Sequence, residues 1–137
     1  MMTQSGKLQL RAVDFFCGAG GMSHGLKLAG IQVIAGIDKE PAFKETYELN
    51  NKPSKFIEAD ITELLTKEDL TNHIELQEND DNMIFVGCSP CQYWSQINTT
   101  RYKSSPTRLL LQHFLRLVKI FHSRDGGFIS KAGEKRI

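Results

Sequence analysis

Asp14-Phe15-Phe16-Cys17-Gly18-Ala19-Gly20-Gly21-Met22-Ser23-His24-Gly25 closes one strand-like run, residues 10–16, and opens a helix-like one, residues 21–29, which Gly30 ends. Glycines in a strand-to-helix turn let the backbone bend sharply and come close to a ligand. The helix start adds free amide donors at the positive end of its dipole. A turn of this kind suits a nucleotide, although Gly-x-Gly by itself also serves ordinary tight turns.

The same alternation continues outward. Residues 31–37 form a second apolar strand. Pro41 suits a first helical turn, and Phe43, Tyr47 and Asn50 then recur along one helical face. Residues 55–58 make a short third strand, residues 62–79 an acidic stretch of surface helix and turn, and residues 83–87, Met-Ile-Phe-Val-Gly, a fourth strand. Leu110, Phe114, Leu117, Val118 and Phe121 return at helical spacing, so residues 107–122 are expected to be an amphipathic helix. Strands alternating with helices imply an α/β fold with a parallel sheet and right-handed crossovers. No internal repeat or low-complexity segment interrupts it.

Acids stand at two strand ends, Asp38 after the second strand and Asp60 after the third. In a nucleotide-binding sheet the first is placed to accept ribose hydroxyls, and the second to accept an adenine amino group. Either alone would serve as a helix cap; together with the glycine turn they outline a ligand with ribose and adenine. A dinucleotide fingerprint would need Gly or Ala three residues after Gly20. That position is Ser23. A cofactor without a pyrophosphate fits better, and S-adenosylmethionine has ribose, adenine and a carboxylate that a helix start can hold.

After the fourth strand comes Cys88-Ser89-Pro90-Cys91-Gln92-Tyr93-Trp94-Ser95. A thiol at a strand's carboxyl end sits where open α/β sheets do chemistry, which makes Cys91 the candidate nucleophile. Cys88-x-x-Cys91 also has the spacing of a redox pair or of half a zinc site. Zinc wants four ligands, yet the only other cysteine is Cys17, and the four histidines show no ligand-like spacing. No metal is expected. A redox pair favours a helix start directly after its second cysteine, whereas residues 92–106 read as a long polar loop.

The chain has 137 residues, of which 40% are hydrophobic and 24% charged, enough for one core and too few for two. No apolar stretch reaches membrane-spanning length, the first residues do not resemble a signal peptide, and three cysteines argue against a disulfide framework. A cytoplasmic, reduced protein is expected. The net charge of +1 hides an asymmetry: residues 1 to 81 carry 8 Lys/Arg and 14 Asp/Glu, residues 82 to 137 carry 9 and 2. Arg101, Lys103 and Arg108 flank the polar loop and would suit a polyanion approaching it, though a solvated basic surface has the same composition.

DFFCGAGGMSHGLKLAG, the acid in GIDKE, EADI, and the PCQ of GCSPCQYWS, in this order and at these intervals, resemble the cytosine-5 DNA methyltransferase family over about residues 10–121. The resemblance implies a Rossmann-like doubly wound sheet of the S-adenosylmethionine-dependent methyltransferase type. Its function would be methyl transfer to carbon 5 of a flipped cytosine in double-stranded DNA through a covalent adduct on Cys91, as in restriction–modification. By the same resemblance Phe16 packs on the adenine, and Gly18, Ala19, Gly20 and Gly21 form the turn near the methionine moiety. Asp38 takes the ribose beside Lys39, where the family often has an apolar or aromatic residue. Asp60 takes the adenine amino group with Ile61 on the ring, and Pro90 lies beside the methyl donor.

The chain also departs from the family. Cys88-Ser89 and Trp94 are unusual in their places, and the Glu-Asn-Val strand expected after residue 122 is missing, as are the recognition region and the segment completing the cofactor pocket. The sheet is therefore expected to be incomplete at the C-terminus. Residues 8–122 would form the catalytic region and residues 123–137 a basic tail without a family counterpart. The chain would be inactive alone, and Leu110, Phe114 and Phe121, needing a partner, would lead it to self-associate or to require a second polypeptide, which could carry the absent motifs. Other readings consistent with the sequence are a non-catalytic S-adenosylmethionine-binding or interaction module and a relative acting on tRNA.

Overall fold

The computed structural model describes residue 6, residues 8–88 and residues 106–122, the last without the side chains of 106–108. Pro90, Cys91, the polar loop up to residue 105 and the tail 123–137 lie outside the described residues.

Four strands, β1 (Arg11–Phe15), β2 (Gln32–Asp38), β3 (Lys55–Glu58) and β4 (Met83–Gly87), form one parallel sheet in the order β3-β2-β1-β4. Between them lie α1 (Gly21–Leu28), α2 (Lys44–Asn50) and α3 (Lys67–Thr71), and α4 (Pro106–Phe121) follows β4. The chain winds outward from β1 to β3, then crosses back to the other side of β1, so the order of winding reverses at the β1/β4 boundary. In open α/β sheets that switch point is where ligands bind.

Alternation along the strands assigns the two faces. Asp14 meets Ser23 of α1, and Gly36 meets Tyr47 of α2. Phe15 turns the other way and lies 5.3 Å, ring to ring, from Phe114 of α4. The larger core is on this second face, where Val13, Ile37, Ile57 and Met83 pack with Leu64, Leu70, Ile74 and the inner stripe of α4. Burying one Leu or Phe side chain is worth about 1.5–3 kcal/mol, so Phe114, Leu117, Val118 and Phe121 are ample to hold α4 down. The expectation that Leu110, Phe114 and Phe121 lack a partner is therefore corrected: Phe114 and Phe121 are buried, and Leu110 packs against the same core. Among the described residues, the large apolar side chains that α4 leaves exposed are Leu109 and Leu111.

Two other expectations change. The stripe Phe43, Tyr47, Asn50 does not exist as one face, because the chain makes a 3-10 turn at Pro41–Phe43 before α2 begins; Tyr47 is fully buried while Phe43 and Asn50 are exposed. The acidic stretch 62–79 is more than surface, since it sends Leu64, Leu70 and Ile74 into the core. Its one short helix, α3, is held by a capping box in which Thr66 and Asp69 bond each other's backbone N–H. The end of α1 is as the sequence suggests: Gly30 (φ 84°) donates to Lys27 O and Ile31 to Leu26 O, the paired bonds of a glycine-terminated helix.

Candidate active site

The turn between β1 and α1 is tight. Phe16, Gly18 and Gly20 have φ of 56°, 52° and 96°. Glycine adopts such angles freely, but a bulky aromatic does not; holding Phe16 there costs about 1–3 kcal/mol, which the surroundings must supply. They do so by tying the turn to the neighbouring strand end. Cys17 N–H donates to Ile37 O at 3.1 Å, and Gly18 N–H to Asp38 Oδ2 at 2.9 Å. Asp38 Oδ1 accepts from Glu40 N–H at 3.0 Å. The chain of contacts continues to the third strand end, where Ala59 N–H donates to Asp38 O at 3.1 Å.

Asp60 caps the 3-10 turn Ile61–Glu63, its Oδ1 accepting from the N–H of Thr62 at 2.9 Å and from the Thr62 hydroxyl at 2.7 Å. These two bonds hold its carboxyl below the usual carboxylate range, with Lys39 and His113 adding smaller electrostatic help against the burial that opposes it. Both bonds fall on Oδ1, so Oδ2 has no partner among the described residues.

These strand ends enclose a cavity of about 400 Å³, within the usual size of a small-molecule site. Phe16, Asp38, Lys39, Asp60 and Ile61, named from the sequence as candidates, all line it. Gly18, Ala19, Gly20 and Gly21 do not, although Gly18 reaches its rim through Asp38. Candidates Pro90 and Cys91 lie outside the described residues. Sequence reasoning missed the apolar floor, Phe15, Ile37 and Ala59, together with Leu110 of α4 and the exposed Cys88 after β4. The available signal was position alone: four of these five residues stand at strand ends.

Gly20 has a second reason to be glycine. A Cβ there would lie 2.2 Å from Asn51 Nδ2 and 2.7 Å from the Tyr47 ring, on the side away from the cavity; one on Gly36 would lie 2.4 Å from the same ring. Tyr47 therefore fills the space between the turn and β2. Its hydroxyl is 2.8 Å from both Ser23 Oγ and Ser54 Oγ, and Ser23 Oγ donates to Asp14 Oδ2 at 2.7 Å. Burial pushes the Asp14 carboxyl upward despite the Ser23 bonds, and burial likewise pushes up the Cys17 thiol, with Asp14 adding to it. A raised thiol pKa makes Cys17 a poor nucleophile.

The arrangement combines an apolar wall with two acids at one rim. Apolar walls suit a flat base, and each of the two acids retains acceptor capacity for a hydroxyl or amino group. Among the described residues, no cluster of His, Cys, Asp and Glu could hold a metal ion, and no helix is long and apolar enough to cross a membrane.

Known proteins resemble this chain in sequence and in fold. A Type II methylase, M.HgiDII of Herpetosiphon aurantiacus, is 43% identical over 107 residues, covering 78% of this chain and 28% of that protein. A crystal structure described as a DNA modification methyltransferase encoded within an E. coli prophage superposes with a TM-score of 0.65 at 26% identity, covering 82% of this chain and 29% of the other. The S. pombe Dnmt2 methyltransferase gives a TM-score of 0.53, also at 26% identity, over 78% of this chain and 31% of that one. The chain thus spans under a third of the length of these relatives. The family model for C-5 cytosine-specific DNA methylases matches residues 10–123. With most of its length matched by that model, the chain belongs to the C-5 cytosine-specific DNA methylase family.

Proposed function

We propose that this chain is the cofactor-binding and nucleophile-bearing part of a DNA cytosine-5 methyltransferase acting in the cytoplasm on double-stranded DNA. The observation that carries this is the convergence of Phe16, Asp38, Lys39, Asp60 and Ile61 on a single cavity at the carboxyl ends of β1, β2 and β3. S-adenosylmethionine, bound there, supplies an electrophilic methyl group on a sulfonium. Phe16 and Ile61 pack on its adenine, Asp38 accepts from the ribose hydroxyls and Asp60 from the adenine amino group. Gly18 to Gly21 shape the turn near its amino-acid end, and Pro90 keeps the role that the family motif gives it, beside the methyl donor.

Cys91 is the nucleophile. Cytosine carbon 5 is a weak nucleophile, and a thiolate adding to carbon 6 enriches it in electrons; loss of the carbon 5 proton later expels the thiolate. Cysteine suits both steps, being strongly nucleophilic and a good leaving group. Cys88 lining the cavity supports this, because Cys91 follows it closely in sequence. The target base must leave the helical stack to reach such a site. Sequence beyond the matched segment, or a second polypeptide, supplies the remaining family motifs.

Titration calorimetry with S-adenosylhomocysteine tests the cofactor half of the proposal. One site per chain is expected, with an enthalpy that disappears when NAD replaces the ligand. Absence of any binding to the folded chain would overturn it.

A further inference from the structure

The acidic end of the candidate site depends on a backbone turn that is strained at Phe16, and one side chain touches both halves of that arrangement from behind. The Tyr47 ring lies against Gly20 of the turn and against Gly36 of β2, which stands two residues before Asp38. Its hydroxyl sits in a buried hydrogen-bond chain. With Asp14 ionised, Ser23 gives its one hydroxyl proton to Asp14 Oδ2 and so accepts from Tyr47, which in turn accepts from Ser54. The chain runs one way, from the β3 entry through α2 and α1 to β1.

We propose that Tyr47, through Ser23, is a positioning residue for the glycine turn, setting the place of the Gly18 N–H that anchors Asp38; this rests on the cofactor reading given above. Ser23 occupies the place where a dinucleotide fingerprint has a third glycine or alanine for close helix packing. Here the helix is located by bonds as well as by contact: Ser23 is 1% exposed and joins α1 to both β1 and α2. The wall formed by Tyr47 and Asn51 behind Gly20 keeps the turn from relaxing away from the cavity. None of these side chains lines the cavity, so the effect reaches a ligand only through Gly18 and Asp38.

The test compares wild type with Tyr47→Phe, which keeps the ring against Gly20 and Gly36 and removes only the hydroxyl, and with Ser54→Ala, which removes the outer link should the first variant fold poorly. Two quantities are read at a temperature where circular dichroism shows each protein folded. S-adenosylhomocysteine affinity should fall by roughly 3- to 10-fold, the effect of one lost hydrogen bond. The Gly18 amide in the ligand-free nitrogen–proton spectrum of the folded protein should shift, a change in the native state that a purely stabilising role for the hydroxyl would not produce, whereas exchange protection would fall under either role. An unmoved Gly18 amide, or unchanged affinity in a wild type that binds, overturns the proposal. If wild type itself does not bind, the cofactor reading fails, and the Gly18 amide alone then decides the positioning role.

Discussion

Gly18 N–H donates to Asp38 Oδ2 at 2.9 Å across the gap between two adjacent strand ends. The glycine turn after β1 and the acid after β2 are therefore one hydrogen-bonded unit, and a change in either is felt by the other. A carboxylate accepting from backbone N–H groups is a charge-assisted acceptor, stronger than a neutral one.

Replacing Asp38 should thus remove both a ligand contact and the anchor of the turn. For Asp38→Ala the expected loss is about 1.5–3 kcal/mol of S-adenosylhomocysteine affinity, roughly 10- to 100-fold in Kd. Asp38→Asn, which keeps one carbonyl oxygen, should lose less. Calorimetry on the three proteins decides, and equal affinities would remove Asp38 from the site.

Gly36→Ala should destabilise the fold by about 1–3 kcal/mol, the usual cost of overpacking, because its Cβ would meet the Tyr47 ring at 2.4 Å. Gly36 does not have a positive φ, so the cost is steric. In a Tyr47→Leu background the same substitution should cost much less, giving a coupling energy in a double-mutant cycle. Urea denaturation of the four proteins measures it, and strict additivity would show that the ring is not the obstacle.

Asp14 gives stability an unusual pH dependence. Burial raises its folded-state pKa above the unfolded value of about 3.8, so between the two the unfolded chain has released the proton while the folded chain still holds it. Stability falls as pH rises through that window. Asp60 and Asp69, lowered by their bonds to Thr62 and to Thr66 and Leu65, act oppositely, and their contribution is lost as pH falls through their folded values. Asp14→Asn should abolish the first trend and leave the second. Urea midpoints from pH 3 upward for wild type and variant are the measurement; parallel curves throughout would contradict it.

In a polypeptide extended to the full length of the relatives, DNA carrying 5-fluorocytosine should trap a covalent adduct at Cys91, since fluorine cannot leave carbon 5 as a proton does. Residues 1–137 alone, under a third of the length of those relatives, should transfer methyl far more slowly than the longer polypeptide. Trapping that persists in Cys91→Ser would assign the nucleophile elsewhere.

How far these features are legible in the sequence depends on whether their causes are local. β3 and β4 are found at their true limits because short apolar runs bounded by turn residues are local signals. That Asp38 and Asp60 line the cavity is legible because they stand at strand ends, where a parallel sheet presents its polar groups. Tyr47 is not, since Gly20, Gly36, Ser23 and Ser54 surround it only after two crossovers have been made. Leu64, Leu70 and Ile74 are hidden by the charges interspersed among them, and Phe114 and Phe121 look unpartnered only until Phe15 and Phe85 are placed beneath them.

The strand order β3-β2-β1-β4 also carries a consequence for synthesis. Everything from the glycine turn to Asp60 belongs to one uninterrupted segment wound in a single direction, whereas β4 must return to the opposite flank of β1. Chains emerge from the ribosome N-terminus first. The acids and the turn that hold Asp38 can accordingly come together while the strand leading to Cys91 is still being translated. The thiol proposed as nucleophile follows them in the chain, and α4, which covers the second face of the sheet, follows later still.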